Sequence, residues 1–169
     1  MDKYNEKPEY VDVKKEDTED KEYKEMMIEK INIMIRTQDF GVLATQGDDE
    51  CYTSLISYSS GSRLKTMVFA TPIKTKKYES IEKHKNVSIL VDNRSNNSSN
   101  INDIAAITAI GSARILEDKD EIKVWSKILV DKHNYLDDFI DAESTAIVLV
   151  DIKNYSYVSS FQEVIEWKP

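Results

Sequence analysis

The sequence predicts a mainly β fold, a closed or nearly closed antiparallel barrel with helices at its ends. Three observations carry this expectation. After one amphipathic helix the apolar period drops from 3.6 to two. The first three alternating segments are joined by short turns, which makes them antiparallel neighbours. The regular strand–helix alternation of a doubly wound sheet is absent. Closure protects these strands without leaving a long bare edge.

Each element follows from its residues. Residues 1 to 18 are charged and poor in bulky apolar groups, so a mobile tail is expected, ahead of a single domain over 19–169. From Asp20 to Thr37 the residues Met27, Ile28, Ile31, Met34 and Ile35 fall on one helical stripe. Gly41 ends the link that follows. Val42–Thr45 is a first strand, and Gln46-Gly47-Asp48-Asp49 a turn. Cys51–Tyr58 is a second strand. Tyr52, Ser54, Ile56 and Tyr58 share one face; Thr53, Leu55 and Ser57 share the other. Thr66–Ala70 is a third strand, and a short helix runs to about His84. Val87–Val91 is a fourth, followed by a polar loop of Asn and Ser, of which Asn93 to Asn102 reads as a flexible surface loop, with a cover over a site as the alternative. Ile104–Leu116 is a long fifth strand broken by Gly111, a candidate bulge. Asp118 can cap a helix bearing Ile122, Trp125, Ile128 and Leu129. A short helical piece over Tyr135–Ile140 precedes a sixth strand, Ala146–Ile152. Tyr155–Ser159 and Val164–Trp167 are further strands.

Composition excludes several classes. The formal net charge of −8 in 169 residues argues against general nucleic-acid binding. An oligonucleotide-binding barrel is further disfavoured, because no aromatic platforms alternate with basic residues on the strands. One cysteine, Cys51, allows neither an internal disulfide nor a cysteine zinc site. Two histidines, His84 and His133, exclude a multi-histidine metal centre within one chain. His84 fits a helix C-terminus, where a cation is favourable, with haem ligation the alternative. The N-terminus lacks the apolar core of a signal peptide. Nothing approaches the roughly 18 apolar residues of a membrane span. A soluble, cytoplasmic protein is expected.

The segment Thr71-Pro72-Ile73-Lys74-Thr75-Lys76-Lys77 stands out. It leaves a strand and enters a helix, whose first N–H groups are unpaired and carry partial positive charge. Thr75 is a candidate N-cap, or its hydroxyl donates to an anion. Three lysines reverse the local sign of an acidic chain. Together these groups suit a phosphate monoester, although a solvated surface turn has the same composition. No glycine-rich loop of the Walker or Rossmann kind is present.

The ordered set Gly41–Thr45, Tyr52–Ser57, Met67–Thr71, Thr75–Lys77 and Ser80–Leu90 resembles the FMN-binding split-barrel family, whose best-known members are the pyridoxamine 5'-phosphate oxidases. The resemblance covers residues 20 to 116 well and the last third loosely. It implies a six-stranded antiparallel split β-barrel with flanking helices. It also implies a homodimer with FMN at the subunit interface. Tyr52, Thr53, Ser54, Leu55, Ile56 and Ser57 would run along the flavin ring and bind it through backbone groups. Ala70 and Thr71 would lie beside the ribityl chain. Thr75, Lys76 and Lys77 would hold the phosphate. Trp167 and Phe161 are candidates to cover the partner's flavin, with edge-strand packing as the alternative.

The chain departs from the oxidase pattern at three places. Tyr52 stands where the pattern has an arginine, Ala106 lies where relatives often carry a glutamine, and the C-terminal Arg-x-His element is absent. Specific pyridoxamine phosphate oxidase activity is therefore not expected. What remains is a flavin-dependent oxidoreductase acting on a small molecule, with NADH or NADPH as candidate reductants. A protein that binds flavin or haem without turnover is the alternative. No acid or base is assigned, and no membrane or nucleic-acid partner is expected.

Overall fold

The computed structural model describes residues 21–94, 104–159 and 163–169. The expected tail over 1–18, most of the loop over 93–102 and Phe161 lie outside them.

Helix α1 (Lys21–Thr37) buries Met27, Ile31, Met34 and Ile35 of the predicted stripe, while Ile28 is half-buried. Strands β1 (Phe40–Gln46), β2 (Cys51–Ser60) and β3 (Thr66–Pro72) form the predicted meander, all antiparallel. Gly41 lies inside β1 rather than ending the link before it. Helix α2 (Lys76–Lys83) leads to β4 (Asn86–Asp92), which pairs with β1, and then to β5 (Ala105–Ile115). Helix α3 (Lys119–Lys132) starts at Asp118, whose Oδ1 accepts the Glu121 N–H at 2.9 Å. A 3-10 turn (Asn134–Leu136) and a short helix α4 (Asp137–Ile140) follow. Strand β6 (Thr145–Ser159) and strand β7 (Glu163–Trp167) complete the fold. No described helix is long and apolar enough to cross a membrane.

The sheet order is β3-β2-β1-β4-β5-β6-β7, and a β3–β6 ladder joins its two sides. Six strands therefore form a closed antiparallel barrel, with β7 as an added strand. One expectation is corrected. Residues 146–152 and 155–159 belong to one strand, because a bulge absorbs the irregularity between them. Ile110 pairs with Asn154 and Gly111 with Ile152, leaving Lys153 as the extra residue. Gly111 is needed there, since a Cβ would lie 2.5 Å from the Asp151 carbonyl oxygen. Beyond the bend, one edge of β6 serves two partners. Its first half pairs with β3 and its second half with β7.

The core has two layers. The barrel interior and α1 share one cluster, which includes Leu43, Ile56, Tyr58, Phe69, Ile89, Ile107 and Tyr155. On the outer face of β3 and β6, Val68, Ile147 and Leu149 meet Leu129 of α3 and Ile140 of α4. Strand β3 is thus covered on both faces, which explains its unbroken apolar run. Each large side chain buried in this way contributes about 1.5–3 kcal/mol.

Candidate functional site

The ladder between β2 and β3 is short. It consists of Tyr58–Phe69, Ser59–Val68 and Ser60–Met67. Below it the strands part: β2 runs on from Ser57 to Cys51 beside β1, and β3 runs on from Ala70 to Pro72 beside β6. The barrel is therefore split between these two segments. They are the segments predicted to hold the ring and the ribityl chain. A strand's backbone groups point alternately to its two edges. Half of those between Cys51 and Ser57 consequently face the split rather than β1. An unpaired edge of this kind offers donors and acceptors to a planar heterocycle.

The predicted residues divide by position. Ile56 is buried and belongs to the core, so only its backbone can serve a ligand. Tyr52 and Leu55 are exposed, Thr53 is exposed, and Ser54 and Ser57 are half-buried. On the far side of the split Ala70 is half-buried and Thr71 is buried.

The turn into α2 is held tightly. Ile73 N–H donates to the Ser144 carbonyl at 2.9 Å. Thr71 Oγ1 and Thr75 Oγ1 are 3.1 Å apart, and Thr75 Oγ1 donates to the Pro72 carbonyl at 2.9 Å. The Thr75 hydroxyl oxygen accepts the Tyr78 N–H at 3.4 Å. Of its two predicted uses, Thr75 thus performs the N-cap. The N–H groups of Lys76 and Lys77 in the first turn of α2 are those left for an anion.

The lysines are not equivalent. Lys76 Nζ donates to Glu50 Oε1 at 3.0 Å and lies 5.5 Å from the Tyr52 ring centroid. The Glu50 carboxylate raises the Lys76 pKa above its ordinary value. Lys77 is half-buried, and no ion pair to it is found among the described residues. Burial alone pulls its ammonium below the ordinary lysine value. A partly desolvated cation without an anion is what a phosphate would complete. The observed groups therefore fit a phosphorylated planar cofactor. The fit has two parts: the open β2 edge for the ring and Lys77 for the phosphate.

Other candidates fall elsewhere. Trp167 stacks on Tyr155 within its own chain, with ring centroids 5.5 Å apart, and stays partly exposed. Ala106 sits in β5 opposite Asp92. His84 is the C-cap of α2, as expected, and its Nε2 lies 3.4 Å from Asp48 Oδ1. Lys83 also binds Asp48, and that hydrogen bond is the main cause of the lowered Asp48 pKa. Cys51 opens β2 as an exposed thiol. Among the described residues no group of three or more His, Cys, Asp or Glu side chains could hold a metal ion.

Sequence reasoning missed Glu50, His133 and Tyr135. Glu50 looks like turn residue when the strand opposite is unknown. Tyr135 reaches Ser57 across 78 positions, a contact no local pattern encodes.

A family model described as Pyridoxamine 5'-phosphate oxidase matches residues 27–159. None of the curated proteins matches the sequence. Among solved structures, a heme binding protein from Mycobacterium smegmatis superposes with a TM-score of 0.74 at 16% identity, over 83% of this chain and 57% of that one. A Clostridium acetobutylicum protein related to general stress protein 26, described as of the pyridoxinephosphate oxidase family, has a TM-score of 0.68 at 15% identity. That match covers 85% of this chain and 95% of that one. A FAD-binding protein from Mesorhizobium loti has a TM-score of 0.61 at 15% identity, over 76% and 91%. At these identities the structural likeness speaks to the fold alone.

Proposed function

Since the chain belongs to the pyridoxamine 5'-phosphate oxidase family, we propose that it binds FMN in the split between β2 and β3 and works as a flavin-dependent oxidoreductase. The observation that carries this reading is the open β2 edge, Cys51 to Ser57, whose start at Tyr52 lies beside Lys76 in the first turn of α2. Along Tyr52, Thr53, Ser54, Leu55, Ile56 and Ser57, the backbone groups that face the split orient the ring. Ala70 and Thr71 flank the ribityl chain. Lys77 and the first N–H groups of α2 neutralise the phosphate, while Thr75 fixes the turn and Lys76 is restrained by Glu50.

Bound FMN supplies hydride exchange; the protein supplies position and exclusion of water. A second copy would cover the exposed side of the site. Leu55, at 69% exposure, is the most exposed large apolar side chain among the described residues, and it lies on the ring-binding strand. Trp167 is the aromatic we assign to the partner's flavin. The small-molecule substrate is left open, with NADH or NADPH as the reductant to try first.

The absorption spectrum of the purified protein, before and after FMN is added, tests the reading. Flavin bands with quenched fluorescence, bleached by NADPH or NADH over many turnovers, support it. Flavin bound without bleaching leaves a flavin carrier. A Soret band, the outcome that the haem-binding relative makes worth checking, would replace FMN by haem. Protein that is colourless and takes up no FMN sinks it.

A further inference from the structure

Tyr135 lies outside the predicted site, in the 3-10 turn after α3. Its hydroxyl is 3.1 Å from Ser57 Oγ and 3.2 Å from His133 Nδ1. His133 is 1% exposed, and its Nε2 is 2.8 Å from the Tyr58 carbonyl oxygen. The result is a chain from a buried imidazole to a serine on the ring-binding strand. A histidine that only satisfied the core would need the Tyr58 bond and no path outward. Here the path ends at Tyr135, which is 62% exposed, and at Ser57.

The polarity of the chain follows from its inner end. A carbonyl oxygen only accepts, so Nε2 carries a hydrogen whether the ring is neutral or cationic. Any change of protonation falls on Nδ1. With a neutral ring, Nδ1 accepts from the Tyr135 O–H, and the Tyr135 oxygen accepts from Ser57. The Ser57 lone pairs are then left for a ligand. With a cationic ring, Nδ1–H donates to the Tyr135 oxygen, Tyr135 donates to Ser57, and the Ser57 hydrogen turns outward. One proton gained at Nδ1 reverses both hydroxyls, and a proton taken from a ligand by Ser57 can arrive at Nδ1 by the same steps.

We propose that His133, acting through Tyr135, sets whether Ser57 offers a lone pair or a hydrogen to a ligand at the ring end of the site. The proposal rests on the flavin reading for the identity of that ligand. His133 and Tyr135 are positioning residues; Ser57 is the contact. The titratable groups around the imidazole are Tyr135 in the turn, Tyr58 on β2, Lys132 on α3 with its ammonium 4.3 Å from the Tyr58 ring centroid, and Asp39 in the α1–β1 link, whose charge acts on Tyr58 and Lys132.

The test compares full-length wild type with Tyr135→Phe, which removes the hydroxyl that joins Ser57 to His133. FMN affinity is measured by fluorescence quenching across roughly pH 5–8, where histidine titrates. Protonation of the FMN phosphate acts on both proteins alike and cancels in the comparison. The wild-type profile should contain a step of at least ~3-fold in dissociation constant, about half a decade, that Tyr135→Phe lacks. Superimposable profiles with FMN bound to both would overturn this inference and leave the flavin reading standing. Loss of FMN binding in wild type itself would overturn the flavin reading and the role of the chain with it. Nitrogen NMR of the imidazole, without flavin, checks the polarity separately. The neutral ring should carry its hydrogen on Nε2, and the Nδ1 resonance should move in Tyr135→Phe; hydrogen on Nδ1 refutes the arrangement.

Discussion

Strand β3 has two edges, and the barrel treats them oppositely. Toward β6 it pairs along its whole length, from Thr66 with Asp151 to Pro72 with Thr145. Toward β2 it pairs at three positions and then parts. The first seam is laddered from end to end and is covered by α3. The second leaves the β2 edge from Cys51 to Ser57 without a β3 partner. The difference separates a fixed edge from an open one: one edge holds the strand still so that the other can remain open, and the open one is where we propose the cofactor binds.

Breaking the closed seam should have the largest effect. Phe69→Ala empties a fully buried site next to that seam and should cost about 3–5 kcal/mol, measured by urea unfolding. Gly111→Ala places a methyl against the Asp151 carbonyl at the bulge and should cost about 1–3 kcal/mol by the same measurement. The open seam should respond in affinity and hardly in stability. Lys77→Ala should weaken FMN about 10- to 100-fold, the range of one charged hydrogen bond, and shift stability by less than about 0.5 kcal/mol. Unchanged affinity would mean that the phosphate lies elsewhere. Glu50→Gln should free Lys76 and tighten FMN a few-fold, a rim charge effect of about 1 kcal/mol or less. Equal losses for Lys76→Ala and Lys77→Ala would erase the distinction drawn between the two lysines.

A further effect is alkaline. Lys132 donates to the carbonyls of Ile35 and Gln38 and lies over Tyr58. Burial nonetheless pulls its ammonium down to about 8. The unfolded chain keeps that proton to higher pH, so stability should rise from about pH 8 toward the ordinary lysine value of 10.5. Burial raises Tyr58 and Tyr155 above the ordinary phenol value of 10.0. The unfolded chain ionises these phenols first, so stability should fall again above about pH 10. Urea midpoints across this range for wild type and Lys132→Gln test both signs. The rising limb should vanish in the variant and the falling limb should remain.

Much of the fold is legible because it depends on local chemistry. The α1 stripe, the caps at Thr75 and Asp118, and the short turns of the meander each specify their own geometry. So does Gly111, which marks the bulge from one position. The continuity of β6 is not legible, since a residue left out of the ladder looks like a strand break until the partner register is known. The site divides in the same way. The basic turn announces itself by charge, and the ordered strands suggest the cofactor. The pairing of Lys76 with Glu50 and the reach of Tyr135 to Ser57 are products of closure. No spacing in the chain signals either.

The long reach of β6 has a consequence for how this molecule comes into being. The meander β1–β3 assembles from neighbours, but β3 receives its second partner only when Thr145–Asp151 arrives, far along the chain. Loop closure over that distance is slow, which makes barrel closure the expected rate-limiting step. Until then a strand with an apolar run presents a bare edge. A nascent chain halted before β6 would be an aggregation template, and chaperones would have their claim on it in that interval.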